Sequence, residues 1–369
     1  MKRVETCMSS KLIAVYTSSI TAIMILFTGC FLMNPDDTDR ADESVKLFIV
    51  ESDYHSGALE RMSIEQKELN SSAIPVYNDA VIKFYDGCLY VLERFGADNF
   101  MKIDFSKTGK SAIAYQNHLG NNFNPQDIAF LSSQKAYISN QDKPLITIFN
   151  PSTGDTISSI DISDYTFLPA RNTTPYAGEM ELDGRDLYVM LQRRDGYEPG
   201  ASTLILKIDT SKDLIVDTIA MKYKNGFSME LHDGALYVSN PGDLKLGDGA
   251  VEKVNLTDKT VSTVLRDDVL GGNPNQIVHK EGSRFYITSY VEYPDVKVLE
   301  IDVSSKKVIK DLPGVKNAYG GICYDDVDGK LYVAERDPEE AGVRIYKNNL
   351  QEGTTVKTSL PPNGLVVGR

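Results

Sequence analysis

The sequence predicts an all-β protein: one seven-bladed β-propeller with four-stranded antiparallel blades, the first blade completed by the C-terminal strand. Three observations carry this expectation. An apolar strand with a central aromatic recurs at Phe48, Tyr90, Tyr137, Tyr188, Tyr237, Tyr286 and Tyr332. Its mean step is about 47 residues, a period that belongs to propellers or solenoids. No useful helical periodicity appears after residue 30, which removes the helical solenoids and leaves blades. The two chain ends also read as complementary parts of one repeat: the Phe48 unit lacks an opening strand, and the C-terminus supplies one with nothing after it.

The chain opens with a targeting segment over residues 1–29. Lys2, Arg3 and Lys11 precede a largely apolar run from Leu12 to Phe27, which is short for a membrane span of about 20 residues and suits a signal peptide. Leu26-Phe27-Thr28-Gly29-Cys30 resembles a bacterial lipobox, with Phe27 where the pattern usually has Leu. The resemblance implies lipid on Cys30 and attachment to a membrane. Phe31 rather than Asp follows Cys30, so in a two-membrane bacterium the expected location is the outer membrane or cell surface. Residues 30–44 hold the acidic run Asp36-Asp37-Thr38-Asp39 and little apolar surface, which predicts a flexible tether. The formal charge of the chain is −13; residues 1–29 carry Lys2, Arg3, Glu5 and Lys11, a net +2, and their loss leaves −15. Without a basic tract the chain has no electrostatic footprint for nucleic acid. Of the four cysteines, Cys88 and Cys323 remain in the body, a whole blade apart, too far for a disulfide.

The propeller is expected over 45–369. Its second strands follow Gly-containing turns, as in Asp86-Gly87-Cys88-Leu89-Tyr90-Val91 and Asp328-Gly329-Lys330-Leu331-Tyr332-Val333. A second hairpin follows in each unit, through Ile103-Asp104, Ile208-Asp209 or Ile301-Asp302 and a polar turn. Two hairpins make four strands. The C-terminal Pro362-Asn363-Gly364-Leu365-Val366-Val367 matches the opening strand at Asn124-Pro125-Gln126-Asp127-Ile128, so residues 363–367 should pair beside 46–50 and close the ring.

The Gly-x-Leu-Tyr-Val strand and the Ile-Asp-x-x-Thr/Ser hairpin resemble the YVTN-type β-propeller family of exported bacterial proteins. Together with the lipobox, the architecture also resembles surface propeller lipoproteins that capture cobalamin or siderophores. These resemblances imply a monomeric ring at the cell envelope.

Catalytic motifs are missing from the sequence: no Gly-x-Ser-x-Gly elbow, no phosphate-binding loop and no His-Glu-x-x-His pair. No cofactor or metal is expected. His55, His118, His232 and His279 fall one per repeat without ligand spacing, and His232 and His279 read as turn or surface residues. Asp325-Asp326-Val327-Asp328-Gly329 reads as a hairpin turn, not a calcium loop.

Propeller geometry places the starts of the inner strands and the loops after the second strands on one face. That face gathers Tyr77, Gln126, Glu179, Phe227, Gln276, Tyr319 and Asn363 from the first set. From the second it gathers Glu93, Arg94, Asn140, Gln141, Arg193, Arg194, Tyr197, Asn240, Tyr290, Glu292, Glu335 and Arg336. The candidate ligand residues are Arg94, Gln126, Glu179, Arg193, Arg194, Gln276, Tyr319 and Arg336, with the arginines as planar donors for a large planar or anionic molecule. As exposed loop residues, Arg94, Arg194 and Arg336 should be replaceable by Ala without unfolding the ring. Two functions follow: a binding module for a corrinoid- or siderophore-like molecule or an envelope protein, or a propeller lyase or lactonase, which would need a metal or a general base in the channel.

Overall fold

A computed structural model describes residues 46–369 apart from 70–72 and 108. The segments expected to be a signal peptide and a tether, with the expected lipidation site Cys30, lie outside the described residues.

Seven antiparallel sheets follow one another around a ring, each one blade. Blade 2 is typical: inner strand Ala80–Tyr85, second strand Cys88–Glu93, third strand Asn99–Ile103 and outer strand Ile113–His118. The inner strands of blades 3 to 7 are Pro125–Ser132, Ala177–Asp183, Ser228–His232, Asn273–Glu281 and Ile322–Asp325. In blades 1 and 7 the outer strand is broken into two short pieces, Glu68–Leu69 with Ile74–Val76 and Leu350–Gln351 with Val356–Lys357.

Burial explains the repeat. The second strand lies inside its sheet with a neighbouring blade on each face, so Cys88–Glu93 and Ala235–Asn240 are buried throughout. A strand covered on both faces reads as a continuous apolar run rather than an alternation. The outer strand has one face in water, and Thr156–Asp161 is exposed at every position except Ile160. Apolar packing accordingly forms seven clusters, one at each junction between blades; Tyr137, Ile148, Met180 and Val189 belong to that between blades 3 and 4.

The recurrent tyrosine also has a polar task. A buried phenol needs a partner for its hydroxyl. Tyr137 donates to Asp213 Oδ1 at 2.7 Å and Tyr286 to Asn349 Oδ1 at 2.8 Å, each in the outer hairpin of the next blade. Where the repeat has Phe48, the next hairpin presents Phe105, and the rings stack at 4.5 Å. The recurrent Asp or Asn shapes that hairpin: Asp104, Asn150, Asp209, Asn255 and Asp302 each accept the N–H two residues ahead.

The ring closes as the chain ends predict. Pro362–Gly368 is the inner strand of blade 1 and pairs with Lys46–Ser52, in register from Lys46 opposite Gly368 to Val50 opposite Gly364. No disulfide joins Cys88, buried at the start of its strand, to Cys323. Asp325 and Asp328 sit at the expected hairpin turn, and Arg369 pairs with both.

Candidate functional site

The inner strands are sheet edges, and an edge that faces a channel leaves N–H groups without ladder partners. Side chains from the preceding blade satisfy several of them. Asp127 Oδ2 accepts Met180 N–H at 2.9 Å, and Glu179 Oε2 accepts Met229 N–H at 2.7 Å. Ser228 Oγ accepts Ile277 N–H at 3.3 Å, and Gln276 Oε1 accepts Ile322 N–H at 2.7 Å. These four latches cross four consecutive junctions. At the last, Gly321 takes φ +94°, which favours glycine, and a Cβ there would stand 2.5 Å from Gln276 Oε1 and push the latching amide aside.

Within the ring lies a cavity of roughly 570 Å³. Of the eight candidate ligand residues, Arg94, Gln126, Glu179, Gln276 and Tyr319 line it, as do Gln141, Phe227 and Asn363. Arg94 is held by Asp79 Oδ1, 2.9 Å from Nε and 2.5 Å from Nη2, and donates from Nη1 to Gln126 Oε1 at 3.1 Å. The rim continues through Gln141 Nε2 to Gln192 Oε1 at 3.2 Å and Gln192 Nε2 to the Gly226 carbonyl at 2.9 Å.

The structure places Arg193, Arg194 and Arg336 outside the cavity lining. Counting from the repeat tyrosine, the equivalents of Arg94 are Gln141, Gln192 and Arg336. In blade 4 the cavity position therefore belongs to Gln192. Arg193 stacks over Phe167, and Arg194 over Tyr176 while donating to the Tyr197 carbonyl. Arg336 holds the equivalent position in blade 7 but is only 6% exposed. Its Nη1 donates to the carbonyls of Pro361 and Pro362 and to Asn363 Oδ1, and its Nη2 to the Ser52 carbonyl at 3.0 Å. Arg336 thus clasps the closing joint of the ring, and the expected tolerance of its replacement is corrected: it is no exposed loop residue.

The carboxylates one residue earlier are buried too. Glu93 accepts Tyr77 N–H at 2.7 Å, and Glu335 accepts Asn317 N–H at 2.8 Å and Arg344 Nε at 2.9 Å. Asn140 and Asn240 are fully buried in the same row. These residues fix the loops of the face rather than presenting themselves on it.

Apart from Glu179, sequence reasoning missed the charges deeper in the channel. Lys83 Nζ lies 3.1 Å from Asp127 Oδ1; its side chain is 44% exposed, while that of Asp127 is 4% exposed. Glu179, Glu181 and Glu230 come from the inner strands of blades 4 and 5. Burial, with the charge of Asp127 second, pushes Glu179 up to about 7. Burial pushes Glu181 up to about 8 and Glu230 up to about 7. His279 lines the cavity rather than sitting at a plain turn, and its ring stacks on His232 at 3.5 Å with 18° between the planes. The available signal was a charge inside an apolar strand, as in Val81-Ile82-Lys83-Phe84 and Met229-Glu230-Leu231. Among the described residues, no group of three or more His, Cys, Asp or Glu is placed to hold a metal ion.

A pH prediction follows. Glu179, Glu181, Glu230 and the buried Glu51, pushed up to about 8 by burial, hold protons in the folded ring that the unfolded chain releases near 4.5. A raised carboxyl contributes stability that is full below its unfolded pKa and is lost as pH rises through its folded one. His279, lowered by burial, works the other way, as one group against four. The melting temperature should therefore fall between pH 5 and pH 8.5, as read by circular dichroism at constant ionic strength. A flat or rising profile would contradict the buried carboxyls.

The opposite ends of the channel differ in surface character. Among the described residues the exposed aromatics are Tyr54, Tyr77, Phe95, Tyr197, Phe227, Tyr293 and Tyr319. Each lies in a loop after a second strand or in the connection leading to an inner strand, so all are on the face carrying the Arg94 rim. Tyr293 and Tyr319 meet edge to face at 6.1 Å, and Tyr54 lies under the Arg336 guanidinium at 4.9 Å.

No family model matches the chain, and no curated protein matches it. Solved structures do. A candidate 6-phosphogluconolactonase of Bacteroides fragilis is 13% identical with a TM-score of 0.60, covering 90% of this chain and 100% of its own. A functionally unknown protein of Desulfotomaculum acetoxidans is 13% identical with a TM-score of 0.59, covering 88% and 98%. Apo AztD of Citrobacter koseri is 10% identical with a TM-score of 0.58, covering 88% and 98%. At these identities the likeness is one of fold.

Proposed function

We propose that this chain is an exported, lipid-anchored binding module of a bacterial envelope, tethered through Cys30, whose channel face captures a small molecule of corrinoid or siderophore type. The observation that carries the reading is the placement of the exposed aromatics on the one face whose centre opens into the cavity. A single-sided aromatic rim around a concave, amide-lined site is an arrangement that buries an organic ligand while fixing its polar edge. The rigid ring holds the rim in place before binding, which lowers the ordering cost. If the source has two membranes, the outer membrane or cell surface is the proposed location. A protein partner seated on the same rim is the other occupant of this reading.

The test is recovery of the native lipoprotein from membranes, with mass spectrometry of small molecules and proteins, followed by calorimetric titration of what is recovered. Tyr319→Ala with Phe227→Ala should reduce recovery at least tenfold, with the melting transition kept. Undiminished recovery on a folded double variant would remove this face from the function. A lyase or lactonase is the second reading. The proton-holding carboxyls beside Lys83 favour it, because groups titrating near neutrality suit general acid–base chemistry. Turnover of lactone substrates that is lost in Glu230→Gln would establish that reading instead.

A further inference from the structure

We infer that the cavity sorts ligands by charge, accepting an uncharged or cationic organic molecule rich in hydrogen-bond donors and turning away anions. The inference rests on the capture reading above and assigns the chemical class of what is captured. The site is the cavity with its aromatic mouth; the charges within it decide the sign.

Three features of the lining point the same way. Its two basic side chains are already engaged, Arg94 by Asp79 and Lys83 by Asp127. An anion would have to compete with a carboxylate for either of them. Next, Asp127, Glu179 and Glu230 all line the cavity, so once the two raised glutamates have ionised, as at pH 8, acidic groups outnumber the engaged bases. In a channel of low effective dielectric, that imbalance repels an entering anion and is relieved by a cation or by donors. Finally, the walls are unlike. Blades 2 to 5 contribute the charged groups, whereas blades 7 and 1 contribute Gly320, Gly321, Ile322, Gly364 and Leu365. A ligand with an apolar face against the second wall and donors toward the first satisfies both. The rim amides Gln141, Gln192 and Asn363 can donate and accept, so they suit amide or hydroxyl edges. The arginine-based expectation of an anionic ligand does not survive this arrangement, because Arg94 alone among the four candidate arginines reaches the cavity.

Three probes sharing one ring test the inference: 1-naphthylmethylamine, 1-naphthalenemethanol and 1-naphthaleneacetate. The chain contains no Trp, so energy transfer from tyrosine to the naphthyl group reports occupancy. At pH 8 and low salt the amine and the alcohol should bind, and the acetate should bind at least tenfold more weakly than the alcohol. Raising the salt should narrow the gap, as screening requires. Glu179→Gln with Glu230→Gln should bring the acetate to within about threefold of the alcohol, the ratio of the two probes being read on protein shown to be folded by its cooperative melting transition. Acetate binding as tight as the alcohol, or no binding by any probe, would overturn the inference, as would an unchanged gap in the folded double variant. The capture reading fails separately, if native material carries no ligand while the probe order holds.

Discussion

Deleting residues 360–369 is expected to abolish cooperative folding of the ring. The segment supplies the inner strand of blade 1 and every ladder contact on one side of Lys46–Ser52, a strand buried from Leu47 through Ser52. Without it that strand becomes an exposed apolar edge, a template for association with other chains. Two inter-blade clusters also open, because Leu365 and Val367 pack with Leu47 and Ile345 on one side and Val366 with Phe48 and Val91 on the other. The loss extends to blade 7, where Arg369 pairs with the buried Asp325 at 2.6 Å. A ring differs from an open repeat array in this respect: each blade needs two neighbours, and one missing strand leaves both sides of the seam unpaired. The full-length body should melt in one transition, whereas the truncated body should show no cooperative melt and should aggregate. Adding a synthetic peptide of residues 360–369 during refolding should restore a transition. A truncated protein that melts cooperatively near the full-length temperature would refute the closure argument.

Arg336→Leu should cost about 3 kcal/mol or more of unfolding free energy, read as a drop in the urea midpoint at constant m-value. The guanidinium is 6% exposed and donates to three carbonyls and one side-chain amide drawn from both ends of the chain. Replacing it by an apolar side chain of similar bulk leaves those buried acceptors unmatched at the seam. Arg94→Leu is the internal control. Its partner Asp79 is about as exposed as a surface residue, at 35%, and such pairs contribute roughly 0 to 1 kcal/mol. The two residues follow the same repeat position, so a large effect at Arg336 with a small one at Arg94 separates clasp from rim. Equal and small effects would mean that the clasp contributes little.

Much of the fold was legible before any coordinates. Period, blade count and closure are written in local patterns: a tyrosine in a doubly covered strand, an Asp or Asn shaping each outer hairpin, and an opening strand left over at the end. Each works within about one repeat, so the linear order of residues is enough to reveal it. Of the rim aromatics, Tyr77, Tyr197, Phe227 and Tyr319 were also legible, as were Gln126, Gln276 and Asn363, because they occupy defined places in that repeat, whereas Tyr54, Phe95 and Tyr293 went unnamed. Three things were decided only in three dimensions. That Gln192 holds the rim position of blade 4 could be counted from Tyr188, but the placement of Arg193 over Phe167 and of Arg194 over Tyr176, away from the cavity, could not. Arg336 has the local sequence of a rim residue, yet its partners Ser52, Pro361 and Pro362 lie in the first and last strands of the ring and the turn before the last, and only closure brings them to it. The facing of Lys83 by Asp127, with Glu179, Glu181 and Glu230 nearby, arises between inner strands roughly 50 residues apart, where no hairpin pattern reaches. Local chemistry determined what each blade is; the character of the channel came from which side chains the closed ring turned inward together.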